Sequence, residues 1–172
     1  FKESNIGVNI GTSCSQISDF YKSYILFKRR GLPFVTCKLA ASKDFFTISK
    51  KKKWITNEYS RGRVHLMRSI HDTIITSSKT IRIDNPFLNC RINGLERTSP
   101  SRIILDNQLK IPITSNVIKD SFKHKTIVFY NIANKGKIKL LKNLGVKTYK
   151  ISVDKNKDLD LKKVLIKVHK LG

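Results

Sequence analysis

Apolar and polar residues along this chain keep no single period. Continuous apolar runs give way to helical spacing and return, as expected where strands and helices alternate. Phe34-Val35-Thr36-Cys37-Lys38-Leu39-Ala40-Ala41 is a compact run of strand formers and predicts a central strand. Residues 73–76, 102–105, 126–130 and 146–153 predict four more. Helical spacing covers residues 58–70, with Leu66 and Ile70 on one face beside Val64 and Met67. It returns at 137–143 and at 159–171, where Leu161, Val164, Leu165 and Val168 form the expected buried stripe. Ser77-Ser78-Lys79-Thr80 predicts a turn or helix start, and Asp84-Asn85-Pro86 a break. Gly145 stands where a helix ends. Before Pro33, residues 5–11 alternate like a short strand and 17–24 suit a helix.

This pattern predicts an α/β fold, a mainly parallel sheet with flanking helices. Residues 32–172 form the α/β domain, and residues 1–31 read as the end of another domain and a linker. The chain stops where the next strand of such a sheet is expected, so one or more C-terminal strands are expected to be missing.

Composition narrows the picture modestly. The 172 residues suffice for one domain with a real core. No apolar stretch approaches membrane-spanning length, and the N-terminus shows no signal-peptide pattern. It also lacks an initiator Met, as expected of a processed chain or a fragment. Cys14, Cys37 and Cys90 are odd in number and widely spaced, which argues against a disulfide framework and points to a reducing cytoplasm. The net charge of +23 admits two readings: an anionic partner, or a lysine-rich style of solvent-facing surface. Because the basic residues spread from Lys22 to Lys170, the second describes them better, and no specific nucleic-acid partner is expected.

Three groups of residues carry candidate chemistry. Lys38 within an apolar run is costly unless it meets a partner or ligand; the plainer reading is an edge lysine whose head reaches water. The small residues Ala40, Ala41 and Ser42 that follow favour a ligand against the backbone. Asp44 ends the run, where α/β sheets commonly place ligands, or simply caps a turn. Trp54 is the lone tryptophan, a stacking residue or core. In the stretch 76–91, hydroxyls after a strand suit phosphate, and Arg68 and Arg91 suit a bidentate phosphate grip; the plainer alternative is capping plus solvated arginines. His65 and His71 are wrongly spaced for ligation from one helix face, and nothing suggests a metal.

Taken in order, these stretches resemble one family. Leu32-Pro33-Phe34-Val35-Thr36-Cys37-Lys38-Leu39-Ala40-Ala41-Ser42-Lys43-Asp44 resembles R-P-F-V-T-L-K-x-A-x-S-L-D-G, the reductase opening of the bacterial bifunctional riboflavin-biosynthesis deaminase/reductases. Lys53-Trp54-Ile55-Thr56 resembles their S-x-W-I-T, and residues 64–72 their V-H-x-L-R-x-x-x-D. Residues 76–91 resemble G-S-G-T-V-x-x-D-[DN]-P-x-L-x-[VC]-R, and residues 105–112 resemble L-D-x-x-L-x-I-P.

The resemblance implies a dihydrofolate-reductase-like fold and NADPH-dependent reduction of 5-amino-6-(5-phosphoribosylamino)uracil. By matching position, Ala40, Trp54, Thr80, Asp84 and Asn107 would contact NADPH, while Lys52, Arg68, Leu88 and Arg91 would bind the phosphorylated pyrimidine. Lys38 and Asp44 would be the polar partners at the reacting end. The resemblance also implies a homo-oligomer when full length. Zinc is expected only in a deaminase domain lying before Phe1, and the family's Glu-Gly-Gly-type loop would lie beyond Gly172. Two positions depart from the pattern: Phe45 stands where Gly is expected, and Lys52 where a small polar residue is expected. A truncated, non-catalytic copy and a basic nucleic-acid-binding protein are the alternative readings.

Overall fold

Runs of β-branched and aromatic residues meet in a parallel sheet in the computed structural model, which describes residues 2–9, 11, 14–47 and 55–172. The strands β1 (Thr73–Ser77), β2 (Ser101–Leu105), β3 (Thr126–Tyr130) and β4 (Lys147–Lys150) lie side by side in chain order, all parallel. Parallel neighbours need crossovers, and helices supply them: α4 (Ser78–Asp84) and the short α5 (Asn116–Lys119) between β1 and β3, and α6 (Lys135–Asn143) between β3 and β4. The helix α3 (Glu58–Ser69) precedes β1, and α7 (Leu161–His169) closes the chain. Two helices, α1 (Cys14–Phe20) and α2 (Lys22–Arg30), come first.

The caps follow from local chemistry. The Asn57 side chain accepts the Ser60 N–H at the start of α3, Ser77 accepts the Thr80 N–H at α4, and Asn134 accepts the Gly136 N–H at α6, each satisfying a backbone donor that the first helical turn leaves open. Asn85 ends α4 in the left-handed region at φ 42°. After α6, Gly145 at φ 79° turns the chain toward β4, a conformation that costs a residue with a Cβ.

The core follows the period of two. Ile104 and Val128 face each other in register and pack with Ile81 of α4, Ile118 of α5 and Leu141 of α6, along with Leu88, Ile111 and Val146. Alternate positions Ile103, Ile127 and Phe129 are buried as well, as strands covered on both faces require. Arg102 is the second residue of β2 and is wholly buried. Its guanidinium donates to the Thr126 hydroxyl and to the carbonyls of Phe87, Val117 and His124, and reaches Asp120 Oδ1 at 2.6 Å. One side chain thus ties β2, β3, α5 and the segment after α4 together, with its charge met by a carboxylate and its donors satisfied.

The chain forms two compact units, Phe1–Cys37 with Leu165–Gly172, and Lys38–Val164. The second holds the sheet. In the first, the rings of Phe27 and His169 lie 4.1 Å apart, and Gly31 ends α2 at φ 61°.

Five expectations are corrected. Residues 34–41 form no strand, and Phe34, Val35 and Leu39 are exposed. A strand needs a partner to take its ladder, and this segment pairs with neither sheet edge among the described residues. Residues 5–9 likewise form no strand, having no partner there. On α3 the apolar Leu66 and Ile70 face outward, while Val64, His65, Met67 and Arg68 are half-buried; polar bonds described below, rather than apolar spacing, decide which face turns in. Leu161 is exposed in the first turn of α7, whereas Val164 and Val168 are buried. The helix expected over 17–24 is broken at Tyr21 into α1 and α2; the remaining strands and helices fall where expected, with ends shifted by a few residues.

Candidate functional site

The predicted site residues of the second unit divide by their place along β1. Arg68 lies in the last turn of α3, just before β1 begins. Thr80 lies in the first turn of α4, just after β1 ends, and Asn107 follows the end of β2. In a parallel sheet the carboxyl ends of strands share one edge, where α/β proteins bind ligands. Thr80 and Asn107 therefore share that edge.

At the α3 end, His65, Arg68, Asn89, Cys90 and Arg91 build a cationic cluster. His65 and Arg68 stand three apart on one helix face. Arg68 Nη1 donates to the Asn89 carbonyl at 3.0 Å and lies 3.5 Å from His65 Nδ1. The same Nδ1 accepts the Arg91 backbone N–H at 3.1 Å, and the Cys90 thiol donates to the His65 carbonyl at 3.4 Å. Since Nδ1 accepts, the ring proton is assigned to Nε2. The Cys90 N–H in turn donates to Ser99 Oγ. Arg91 is exposed, and Arg68 is half-buried.

The electrostatics follow from this crowding. Burial first, then the charge of Arg91, holds the Arg68 pKa below the ordinary guanidinium value. Burial, followed by Arg68 and Arg91, lowers the His65 pKa, against an opposing pull from the Asn89 carbonyl. Neither Arg68 nor Arg91 has an ion-pair partner among the described residues, and two cations on facing segments suit an anion. The cluster also leaves two buried polar atoms unpaired, Arg68 Nε and Asn89 Oδ1. Leu88, buried at φ 59°, begins this segment.

At the carboxyl edge, the Thr80 and Ser77 hydroxyls lie 3.4 Å apart. The Asn107 carbonyl accepts the N–H groups of Asn131 and Ile132, and its Nδ2 donates to the Lys157 carbonyl at 3.0 Å. Its Oδ1 is buried without a partner, an acceptor that a bound donor would satisfy. Asp84 ends α4 and is exposed. The next residue, Asn85, is tied to α5 by paired bonds with Asn116.

The remaining candidates are not gathered. Lys38 is exposed in irregular backbone rather than within a buried strand, and Ala40 is half-buried. Asp44 is exposed in a turn closed by reciprocal bonds between Ser42 and Phe46. Lys52 and Trp54 lie outside the described residues. A shallow cavity of about 320 Å³ lined by Ser69, His71, Asp72, Ser99 and Ser101 holds none of the predicted residues. Among the described residues no three His, Cys, Asp or Glu side chains gather to hold a metal, and no helix is long and apolar enough to cross a membrane.

Sequence reasoning missed the tethering of Arg91 by His65 and the buried Arg102. The spacing of His65 and Arg68 was the available signal for the first; a basic residue at a strand end gives none for the second.

Comparison with known proteins bears on this arrangement. A model of the RibD C-terminal domain matches residues 33–172. The riboflavin biosynthesis protein RibD of Bacillus amyloliquefaciens is 34% identical over 156 residues, covering 90% of this chain and 42% of that protein. Among solved structures, RibD of Acinetobacter baumannii superposes with a TM-score of 0.78 at 26% identity, covering 99% of this chain and 46% of the other. A diaminohydroxyphosphoribosylaminopyrimidine deaminase/5-amino-6-(5-phosphoribosylamino)uracil reductase from Thermotoga maritima gives 0.77 at 22% identity, covering 99% and 45%; that likeness speaks for the fold. The chain spans less than half the length of these relatives.

Proposed function

Because this chain belongs to the RibD C-terminal domain family, we propose that it is the reductase part of a bifunctional riboflavin-biosynthesis deaminase/reductase. Its reaction is the reduction of 5-amino-6-(5-phosphoribosylamino)uracil to the ribitylamino product with NADPH. The observation that carries this reading is the family match over residues 33–172. Arg68 at the end of α3 and Arg91 on the facing segment support it, since they suit a phosphorylated ligand.

NADPH, when bound, supplies the hydride that reduces C1 of the opened sugar. The residues present fit that cofactor at the carboxyl edge: the unpaired Asn107 Oδ1 is an acceptor for a donor of the cofactor, and Thr80 offers a hydroxyl in the first turn of α4 at the same edge. Asp84, Ala40 and Trp54 complete the proposed cofactor set by sequence match. Arg68 and Arg91 hold the substrate phosphate, and Leu88 and Lys52 join the substrate set by sequence match. Lys38 and Asp44 serve the reacting end as polar partners, holding or passing a proton. The enzyme works in the cytoplasm as a homo-oligomer, with zinc confined to its deaminase part.

The test is NADPH oxidation by the protein with and without the phosphoribosylaminouracil. Oxidation that depends on the pyrimidine, and falls at least tenfold in Thr80→Val or Asn107→Leu, is expected. NADPH oxidation that ignores the pyrimidine, with tight and salt-sensitive binding to unrelated DNA duplexes instead, would overturn the reading.

A further inference from the structure

His65 Nδ1 meets both Arg68 Nη1 and the Arg91 backbone N–H, and no role in the proposed chemistry falls to it. Arg68 belongs to α3, while Arg91 belongs to the segment that follows α4. Like charges repel, and the charge of Arg91 disfavours that of Arg68. The structure holds the two segments together with three bonds, all within one helical turn of α3. Cys90 Sγ donates to the His65 carbonyl, Arg68 Nη1 donates to the Asn89 carbonyl, and the Arg91 N–H donates to His65 Nδ1. The last is the only one of the three that fixes Arg91 itself.

We propose that His65 is a positioning residue that holds Arg91 beside Arg68, so that both guanidinium groups meet one phosphate monoester. The inference rests on the proposed role of the two arginines in gripping the substrate phosphate. It adds the device that sets their separation. An anion bridging two cations at the right spacing gains two sets of charge-assisted bonds. Looser spacing leaves one arginine to act alone, and the ligand bears the cost of ordering the segment. His65 acts as an acceptor, and a neutral ring is what the site demands. A protonated ring would add a third cation and turn a donor toward the Arg91 N–H.

The geometry separates this role from simple packing. The bond to Arg91 uses the δ position of the ring, which an asparagine amide oxygen reproduces and a leucine does not. The experiment titrates the whole chain with ribose 5-phosphate and with ribose, for wild type, His65→Leu, His65→Asn, Arg68→Ala and Arg91→Ala, with circular dichroism confirming the fold of each. His65→Leu is expected to weaken ribose 5-phosphate binding about tenfold, leaving NADPH binding unchanged. His65→Asn is expected to recover most of the loss. Ribose should bind wild type and His65→Leu alike. Equal loss in His65→Leu and His65→Asn, or loss in His65→Leu that extends to NADPH, overturns the positioning role, as does no loss at all. Should Arg68→Ala and Arg91→Ala fail to weaken the phosphorylated ligand, the phosphate reading of the arginines fails first. Should they weaken it while His65→Leu does not, the arginine reading stands and the inference about His65 falls.

Discussion

Arg102 Nη1 lies 2.6 Å from Asp120 Oδ1, with the arginine side chain wholly buried and the aspartate side chain 23% exposed. A buried cation is tolerable only while its charge is met. Here the same guanidinium also holds the Phe87 carbonyl, just ahead of the segment that carries Leu88 and Arg91. Burial lowers the Arg102 pKa, and the bond and charge of Asp120 oppose that shift. Asp120→Ala strands the cation and is expected to cost about 3 kcal/mol of stability, the low end for a broken buried pair because one partner touches water. Urea unfolding of the two proteins checks it; a loss below about 1 kcal/mol would show that the carbonyls and Thr126 suffice.

Phe45 occupies the left-handed region at φ 63° and is 87% exposed. A residue with a Cβ is strained there by about 1–2 kcal/mol, and an exposed ring recovers little through packing. Phe45→Gly relieves that strain and gives back part of the gain to the entropy of the unfolded chain. The net expectation is a stabilisation of about 0.5–1 kcal/mol, read from the thermal midpoint. A destabilised variant would mean that the ring finds contacts with a bound ligand or with neighbouring chain.

His65 and His124 both have lowered pKa values, each chiefly through burial and next through arginine charge. Around His65 stand Arg68 of the same helix and Arg91, the Cys90 thiol and the Asn89 carbonyl of the facing segment. Groups with depressed folded pKa values give stability that is complete above the unfolded value, about 6.5 for histidine, and lost as pH falls through the folded values. Stability is therefore expected to decline as pH drops below about 6.5, and the slope to flatten in His65→Asn with His124→Gln. Urea midpoints across that range decide it; identical slopes in wild type and double variant would remove these histidines from the account.

The sheet was legible in sequence because its strands are short β-branched runs set off by residues with one clear job, such as Ser77, Asn85, Asn134 and Gly145. The stretch 34–41 has the same composition and forms no strand, since composition reports the fitness of a strand and not the presence of its partner. On α3 the apolar pattern chose Leu66 and Ile70, yet the bonds of His65 and Arg68 turn another face inward. Such bonds reach residues more than twenty positions away, and no local period records them. For the same reason Arg68 and Arg91 were legible as candidates one by one, while the histidine that joins them was not. The four residues of α5 are too few to show a period at all.

The most direct test of the account is the dissociation constant of 5-amino-6-(5-phosphoribosylamino)uracil for the protein and its Arg68→Ala variant, beside the dephosphorylated compound, by calorimetry. An arginine bonded to phosphate contributes about 1.5–3 kcal/mol, so the variant is expected to bind the phosphorylated compound about 10–100-fold more weakly and the dephosphorylated one unchanged. Equal affinities of wild type and variant for the phosphorylated compound would contradict the account.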